Sequence, residues 1–587
     1  MRVMAYQYGC HKIDTIPPEA ETQLKLANRF WNKLVEIENQ YQEQKRQLWL
    51  KYPEIEEGER IIHDCLAEIE AIRKFAADRN QKEGVKKKLD PADKDKKAAL
   101  LARIKEERAR VKAAKERAYQ DGADEYLKNL GLWCKEAVKS ARQAIAEEGL
   151  YWGTYNAVAA HFDVARQKAA KEGAKLHFYR FDGSGTWTVQ IQQENGEEPL
   201  TIGKLFSGAH KWQNMLRVGP VDFSDWDRLP RHERRRRART TISIRIGSTA
   251  GREPVWLTLP MTMHRPLPAD AEIKMVQVTR RRIASHYDYS VSFTVRLSEN
   301  LAVPVNGQVA AIDLGWRVIG DELRVAAWKG SDGRSGELRL PASLVGEFDR
   351  VERIRSIRDR DFNAARQMLV DWLARNAAAN AIPDWLRDAT AHLAQWRSPG
   401  RLAALAVQWR DRRFDGDETA FAALEDWRRH DKHHWEFEAN LRDQLVMRRR
   451  EMYRVFAAAM ARMYGAVVVE DMDLRQMTRR PEPGEENTLH DAARRHRVIA
   501  APGILRECVK LAVLSAGGRY HEAPAGMTTR IHARCGEDNR TTDFVMEVAV
   551  VCPVCGVRYD QDFNACDNLL DWWRRGELLP EETRAVQ

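Results

Sequence analysis

Val551-Cys552-Pro553-Val554-Cys555-Gly556, followed closely by Tyr559-Asp560-Gln561-Asp562-Phe563-Asn564-Ala565-Cys566-Asp567-Asn568, decides how the chain is read. The first run is a C-x-x-C knuckle, half of a tetrahedral zinc site. The second opens an apolar-periodic segment. Phe563, Cys566, Leu570 and Trp573 recur at three- and four-residue steps, which predicts a helix. Asp562 then falls in the first helical turn, where the dipole favours a carboxylate and the side chain can face a metal ion. Upstream, Ile531-His532-Ala533-Arg534-Cys535-Gly536 supplies a second knuckle. His532, Cys535, Cys552 and Cys555 together read as a zinc ribbon holding one structural Zn²⁺, which fixes the loop before Asp562.

Asp562 needs partners, and two strand-like runs supply them. Ala310-Ala311-Ile312-Asp313-Leu314-Gly315-Trp316 carries an acid inside an apolar strand. Ala466-Val467-Val468-Val469-Glu470-Asp471 is β-branched and ends in acids. A buried strand rarely carries an uncompensated carboxylate, because desolvating the charge costs several kcal/mol. Asp313, Glu470 and Asp562 therefore read as one cluster for hard divalent cations, Mg²⁺ or Mn²⁺, which prefer oxygen ligands.

This order of motifs resembles the split RuvC nuclease domain of type V CRISPR effectors and, more distantly, TnpB transposon-encoded nucleases. The motif match covers roughly residues 301–587. The remainder, including Phe181-Asp182-Gly183-Ser184-Gly185-Thr186, is similar to the compact subtype V-M effectors. The resemblance implies an RNase H-like α/β (RuvC) domain with an inserted zinc ribbon, and two catalytic ions about 4 Å apart. It implies partners as well. A guide (CRISPR) RNA pairs with double-stranded target DNA to form an R-loop, and the protein reads a short, T-rich adjacent motif. Antiviral defence by a monomer carrying one guide, in a prokaryotic cytoplasm, is the expected setting.

Two features of the resemblance pull apart. Subtype V-M effectors silence transcription by guide-directed DNA binding without cutting, and several have replaced acids of the triad. This chain keeps Asp313, Glu470 and Asp562, as an active Mg²⁺-dependent endonuclease would. Both readings stay open, with double-strand cleavage weak or absent under the second. A TnpB-type nuclease is a third reading, disfavoured by the large N-terminal helical part. Relatives also carry Cys where this chain has His532.

Length and composition agree with a multidomain α+β protein. The chain has 587 residues, too many for one core. Lys and Arg number 96 against 86 Asp and Glu, a net charge of +10, which suits a polyanion but also an ordinary soluble surface. Eight cysteines in this length argue against a disulfide scaffold. Neither a signal-peptide run nor a membrane-length apolar stretch is seen. Residues 1–14 read as a first strand of the wedge domain. Residues 15–172 read as helical and 173–300 as an antiparallel β-barrel, which the resemblance implies are the recognition lobe and the wedge domain. RuvC parts follow at 301–344, 465–527 and 560–587, with a helical block at 345–464 and the ribbon at 528–559.

Within the lobe, a glycine- and proline-punctuated basic turn at 82–91 leads to a helix through Arg103, Arg108, Arg110 and Lys112. A solvated coiled coil and an arm along a duplex both account for it. In the barrel, 176–181 and 186–191 read as a hairpin around Asp182-Gly183-Ser184-Gly185, with further strands at 240–247, 254–263, 272–279 and 286–296. Arg234, Arg235, Arg236, Arg237 and Arg239, then Arg280, Arg281 and Arg282, are dense enough for phosphate contacts. Arg448 and Arg449, beside Arg450, suit either a heteroduplex channel or an exposed helix face. Arg475, Arg479, Arg480, Arg494, Arg495 and Arg497 follow Glu470 in a Pro- and Glu-containing loop that reads as a lid or as a plain connector.

Overall fold

Alternating apolar residues build the sheets of the first half of the chain. On β4 (Arg239–Ser248), Ile242, Ile244 and Ile246 are buried while their neighbours face outward. The computed structural model describes residues 2–11, 13, 15–83, 91–172, 174–191, 198–208, 210–249, 253–297, 307–377, 382–471, 491–524, 531–537 and 548–575. The chain divides into two units, residues 1–282 with 287–298, and 283–286 with 299–587.

The first unit opens with β1 (Arg2–Gly9), then five helices: α1 (Pro18–Trp49), α2 (Pro53–Glu83), α3 (Pro91–Gln120), α4 (Ala123–Glu147) and α5 (Trp152–Glu172). There follow β2 (Gly185–Gln190), α6 (Ile202–Ser207), β3 (Leu216–Val218), α7 (Arg231–Arg237), β4, β5 (Pro254–Thr262), β6 (Glu272–Ile283) and β7 (His286–Leu297). Because β1 pairs with β7, the helices α1–α5 are an insertion between two strands of one sheet. Strands β4–β7 match the four expected runs.

A closed barrel is not what the chain forms among its described residues. Two open sheets, β1-β7-β6-β2 and β3-β4-β5, face each other across one core. Among the described residues they join at the bridge from Cys10 to Met261 of β5, beside which His11 N–H donates to the Pro260 carbonyl at 3.0 Å. The other seam stays open because α5 covers the free edge of β2. At Gly153 a Cβ would stand 2.7 Å from the Thr188 carbonyl oxygen, so only glycine lets the helix start approach that strand.

The expected hairpin at 176–191 is half right. Residues 186–190 lie in β2, but 176–181 form no strand. The Asn32 side chain on α1 instead binds both backbone groups of Tyr179, at 2.9 Å each. A side-chain amide thus takes the place of a neighbouring strand. Gly183 is at φ 91°, the left-handed region the turn requires.

Helices α2 and α3 form a charge-laced pair. Arg110, Lys115 and Arg117 on α3 bond Glu57, Glu59 and Glu54 on α2 at 3.1, 2.7 and 3.0 Å. These exposed pairs are worth a few tenths of a kcal/mol to about 1 each. They engage α3 cations that a duplex-binding arm would present outward. Most of the basic turn, at 84–90, lies outside the described residues.

The second unit begins with β8 (Val309–Ile319), β9 (Glu322–Gly330) and β10 (Ser335–Leu340). Four helices follow: α8 (Ala342–Ala377), α9 (Asp384–Ala389), α10 (Pro399–Arg410) and α11 (Glu418–Met463). Then come β11 (Ala466–Asp471), α12 (Asp491–Ala500), α13 (Pro502–Ser515), β12 (Arg519–Pro524), β13 (Ala549–Val551), β14 (Arg558–Asp560) and α14 (Gln561–Arg574). The main sheet runs β10-β9-β8-β11-β12. Its first three strands are antiparallel, whereas β11 pairs parallel to β8 and β12. Burial on both faces explains the continuous apolar run of β8. Ala310, Ile312 and Leu314 face the core shared with α8, α11 and α13, while Val309 and Ala311 face α14. Among the described residues, no helix is long and apolar enough to cross a membrane.

Candidate functional site

Strand alternation selects which residues can meet. Asp313 has the parity of Val309 and Ala311, so it lies on the α14 face of the sheet. Glu470 shares the parity of Ala466 and Val468, which line the same face. It lies one residue beyond Val469, the partner of Ile312 in the parallel register. Asp562 arrives from above, in the first turn of α14. All three acids are buried, at 6, 7 and 3 % exposure. The chain returns on opposite sides of β8 and β11, and such a switch point leaves a crevice at the strand ends.

Burial, then the charges of Asp562 and Glu470, push the Asp313 carboxyl well above its usual range. Packed together, the acids repel one another, and a cation between them would relieve that repulsion. A carboxyl raised in the folded state opposes folding at every pH above its unfolded value, near 3.8. Asp313→Asn should therefore melt higher than the native chain at pH 7 in buffer without Mg²⁺ or Mn²⁺. The gap should close as the pH falls toward about 4. Equal melting temperatures at pH 7 would contradict the account.

The site contains residues that sequence reasoning missed. Asp560 caps α14 by accepting from the backbone N–H groups of Asp562 and Phe563, at 2.9 and 3.3 Å. Arg324 on β9 is 3 % exposed and donates to Asp560 and Asp562, each at 2.9 Å, and also to Glu337. Arg317 approaches the other Asp562 oxygen at 3.3 Å and donates to Gln561 at 2.9 Å. The signal available in sequence was weak: two arginines in and after the Asp313 strand, with nothing to say which way they turned.

His532, Cys535, Cys552 and Cys555 come together as expected, their ligand atoms all within 4.8 Å of one another. Cys535 Sγ lies 3.5 Å from Cys552 Sγ, and His532 Nδ1 lies 3.1 and 3.4 Å from Cys535 and Cys555. Ligands about 2.0–2.3 Å from a tetrahedral ion are separated by much the same distances, so the donor set fits Zn²⁺. Burial, helped by Arg534, holds the His532 imidazole below its usual pKa, in the neutral form a metal needs. Each knuckle ends in a positive-φ glycine, Gly536 at 75° and Gly556 at 69°. Asn564 ties the first knuckle to α14. It accepts from Ala533 N–H at 2.8 Å and donates to Ile531 C=O at 2.7 Å.

The arginines divide by burial. Arg235, Arg236, Arg239, Arg281, Arg282, Arg448 and Arg450 are exposed. Arg234 and Arg237 are half-buried, bonded to the Leu229 carbonyl at 2.7 Å and to Asp222 at 2.8 Å. Two residues expected to meet nucleic acid turn inward. Arg280 is 2 % exposed, bonded to the Gly183 carbonyl and set 4.4 Å from the Tyr287 ring centroid. Arg449 donates to the Val498 and Ile499 carbonyls at 3.1 and 2.5 Å, closing the C-terminal end of α12. Both guanidinium groups are buried and bonded to backbone carbonyls. Arg494, Arg495 and Arg497 lie on the helix α12 and not in the expected loop, whereas Arg475, Arg479 and Arg480 lie outside the described residues.

Relatives of this chain are known. It is 36 % identical over 438 residues to a CRISPR-associated DNA-binding protein Cas12m from Allomeiothermus silvanus, covering 74 % of this chain and 77 % of that protein. A protein of the same name from Mycolicibacterium mucogenicum is 31 % identical over 589 residues, covering 94 and 96 % of the two chains. A cryo-EM structure of Cas12f1 with single-guide RNA and target DNA aligns over 97 % of this chain and 98 % of that one. Its identity is 10 % and its TM-score 0.35, too low to support an argument. No protein-family model matches.

Proposed function

The chain belongs to the Cas12m family of CRISPR-associated DNA-binding proteins, and from that premise we propose that it is an RNA-guided DNA-targeting effector of type V-M. It holds a guide RNA on its basic, two-sheet N-terminal unit and recognises a short adjacent motif. It then opens double-stranded DNA into an R-loop in which base pairing supplies the sequence. It works as a monomer with one guide.

The observation that carries the catalytic part is the convergence of Asp313, Glu470 and Asp562 on one buried face. We read that face as the catalytic end of a RuvC-type, RNase H-like sheet. Asp313 and Glu470 would hold a divalent cation, Mg²⁺ or Mn²⁺. When bound, such a cation would lower the pKa of water, and stabilising the leaving oxygen of a phosphodiester would fall to a second ion. The chain's own residues set the carboxylates at the crevice and, through the zinc ribbon and Asn564, fix the start of α14. His532, Cys535, Cys552 and Cys555 would hold structural Zn²⁺. A guide-directed binder that silences without cutting is the second reading. The commitment of both Asp562 oxygens to Arg317 and Arg324 favours it.

Guide RNA binding is expected to fall steeply with salt. Replacing Arg235, Arg236 and Arg239 together by Ala should reduce the slope of log affinity against log salt by about 1 for each phosphate those arginines neutralise. A filter-binding titration between low and physiological salt checks it. An unchanged slope would place the RNA elsewhere.

A further inference from the structure

Two catalytic ions would share a carboxylate, and at Asp562 each oxygen already faces a guanidinium. Arg324 takes Oδ2 at 2.9 Å and Arg317 approaches Oδ1 at 3.3 Å. Asp560, the other acid at the start of α14, is bonded by Arg324 through both oxygens, at 3.1 and 2.9 Å.

The arrangement is built into the sheet. Arg317 on β8, Arg324 on β9 and Arg339 on β10 are cross-strand neighbours, because Arg317 pairs with Arg324 and Arg324 with Arg339. Like charges directly opposite one another destabilise a sheet unless anions lie between them. Here Glu337, Asp560 and Asp562 are those anions. A bulge between Leu314 and Arg317 interrupts the strand just after Asp313, and beyond it Arg317 reaches Asp562. Arg324 is buried with its Nε left without a hydrogen bond, a cost carried so that both Nη groups reach carboxylates.

We infer that the Arg324 guanidinium is a resident cation standing where a second divalent ion would sit, so that the acidic cluster takes one ion and not two. This rests on the reading of the cluster as a cation site. It deepens that reading by explaining how a chain with all three acids can bind DNA and cut it feebly. One-ion occupancy leaves the leaving oxygen without its counter-charge, and two-ion chemistry would require Arg324 to move off Asp562. Arg324 acts through Asp562 and Asp560, which it bonds directly, so its role is positional.

The test is a Mn²⁺ titration of the full-length, zinc-loaded chain, read by electron paramagnetic resonance and by calorimetry. Native protein should bind one Mn²⁺. Arg324→Gln, which removes the charge and keeps a polar side chain, should bind two. Arg324→Lys should restore one. A Gln variant that still binds one ion, or a native chain that binds two, overturns the inference. A native chain that binds none overturns it differently, by removing the cation site of the proposed function. Should Arg324→Gln fail to fold, the native and Lys titrations decide, with one ion in each supporting the inference and two in either defeating it.

Discussion

Asp313→Ala is expected to leave guide-directed DNA binding within a few-fold of native while removing Mg²⁺-dependent cleavage. The two activities separate because they use different chemistry. Binding rests on base pairing and on arginine–phosphate contacts. Cleavage rests on a cation held by a buried carboxylate that Ala cannot replace. Losing an outer-sphere group already costs about 10–100-fold in metal affinity, so losing a direct ligand should cost at least that. Removing a negative charge near DNA can only weakly favour binding. Two measurements decide it, a mobility shift in Mg²⁺-free buffer and a cleavage assay on supercoiled target in Mg²⁺. Native protein that binds but never cuts would make this chain a pure DNA binder. A variant that no longer binds would mean that the acids belong to the DNA-reading surface.

Cys552→Ser should lower zinc from about one ion per chain to a small fraction and loosen the C-terminal end of the second unit. Cys552 is fully buried, and its thiol is set for metal. Burial raises its pKa, but backbone N–H groups of Cys555 and Val554 outweigh that and hold it below the usual thiol range. Structural zinc is worth about 10–16 kcal/mol in isolated finger peptides, so even a partial loss is large beside the marginal stability of a domain. The effect should travel. Asn564 and Asn568 both donate to the Ile531 carbonyl at 2.7 Å, so releasing the knuckle frees the first turns of α14, which carry Asp562. Elemental analysis should show the loss of metal, and hydrogen exchange should rise over residues 561–568. Full zinc in the variant would show that the ligands are wrong. Zinc loss with unchanged exchange would show that the ribbon does not brace the acid.

Much of the candidate site was legible because its signals are local. A C-x-x-C knuckle with its glycine, an acid at a helix start and a β-branched run ending in acids each express a backbone geometry that a few neighbouring residues dictate. Period-two alternation even places Asp313 on a definite face of its strand. The errors were all questions of what covers what. The second half of the β2 hairpin looked like a strand because Leu176 to Phe181 is rich in aromatic residues. Asn32, far away on α1, satisfies that backbone instead. The closed barrel failed for the same reason, since the free edge of β2 is covered by a helix start at Gly153.

By itself, then, the sequence placed most of the strands, the four residues of the Cys/His cluster and the three acids, down to the side of β8 on which Asp313 lies. Only the tertiary structure decided where the arginines went. An arginine can lie along a surface or turn inward, and its sequence neighbours do not distinguish the two. Arg280 and Arg449 are buried because distant carbonyls are there to receive them, and Arg324 because the start of α14 brings Asp560 and Asp562 across the sheet. A buried charge exists only with its partners. In this chain the partners of Arg324 lie more than two hundred residues away, at Asp560 and Asp562, a separation that local pattern does not span.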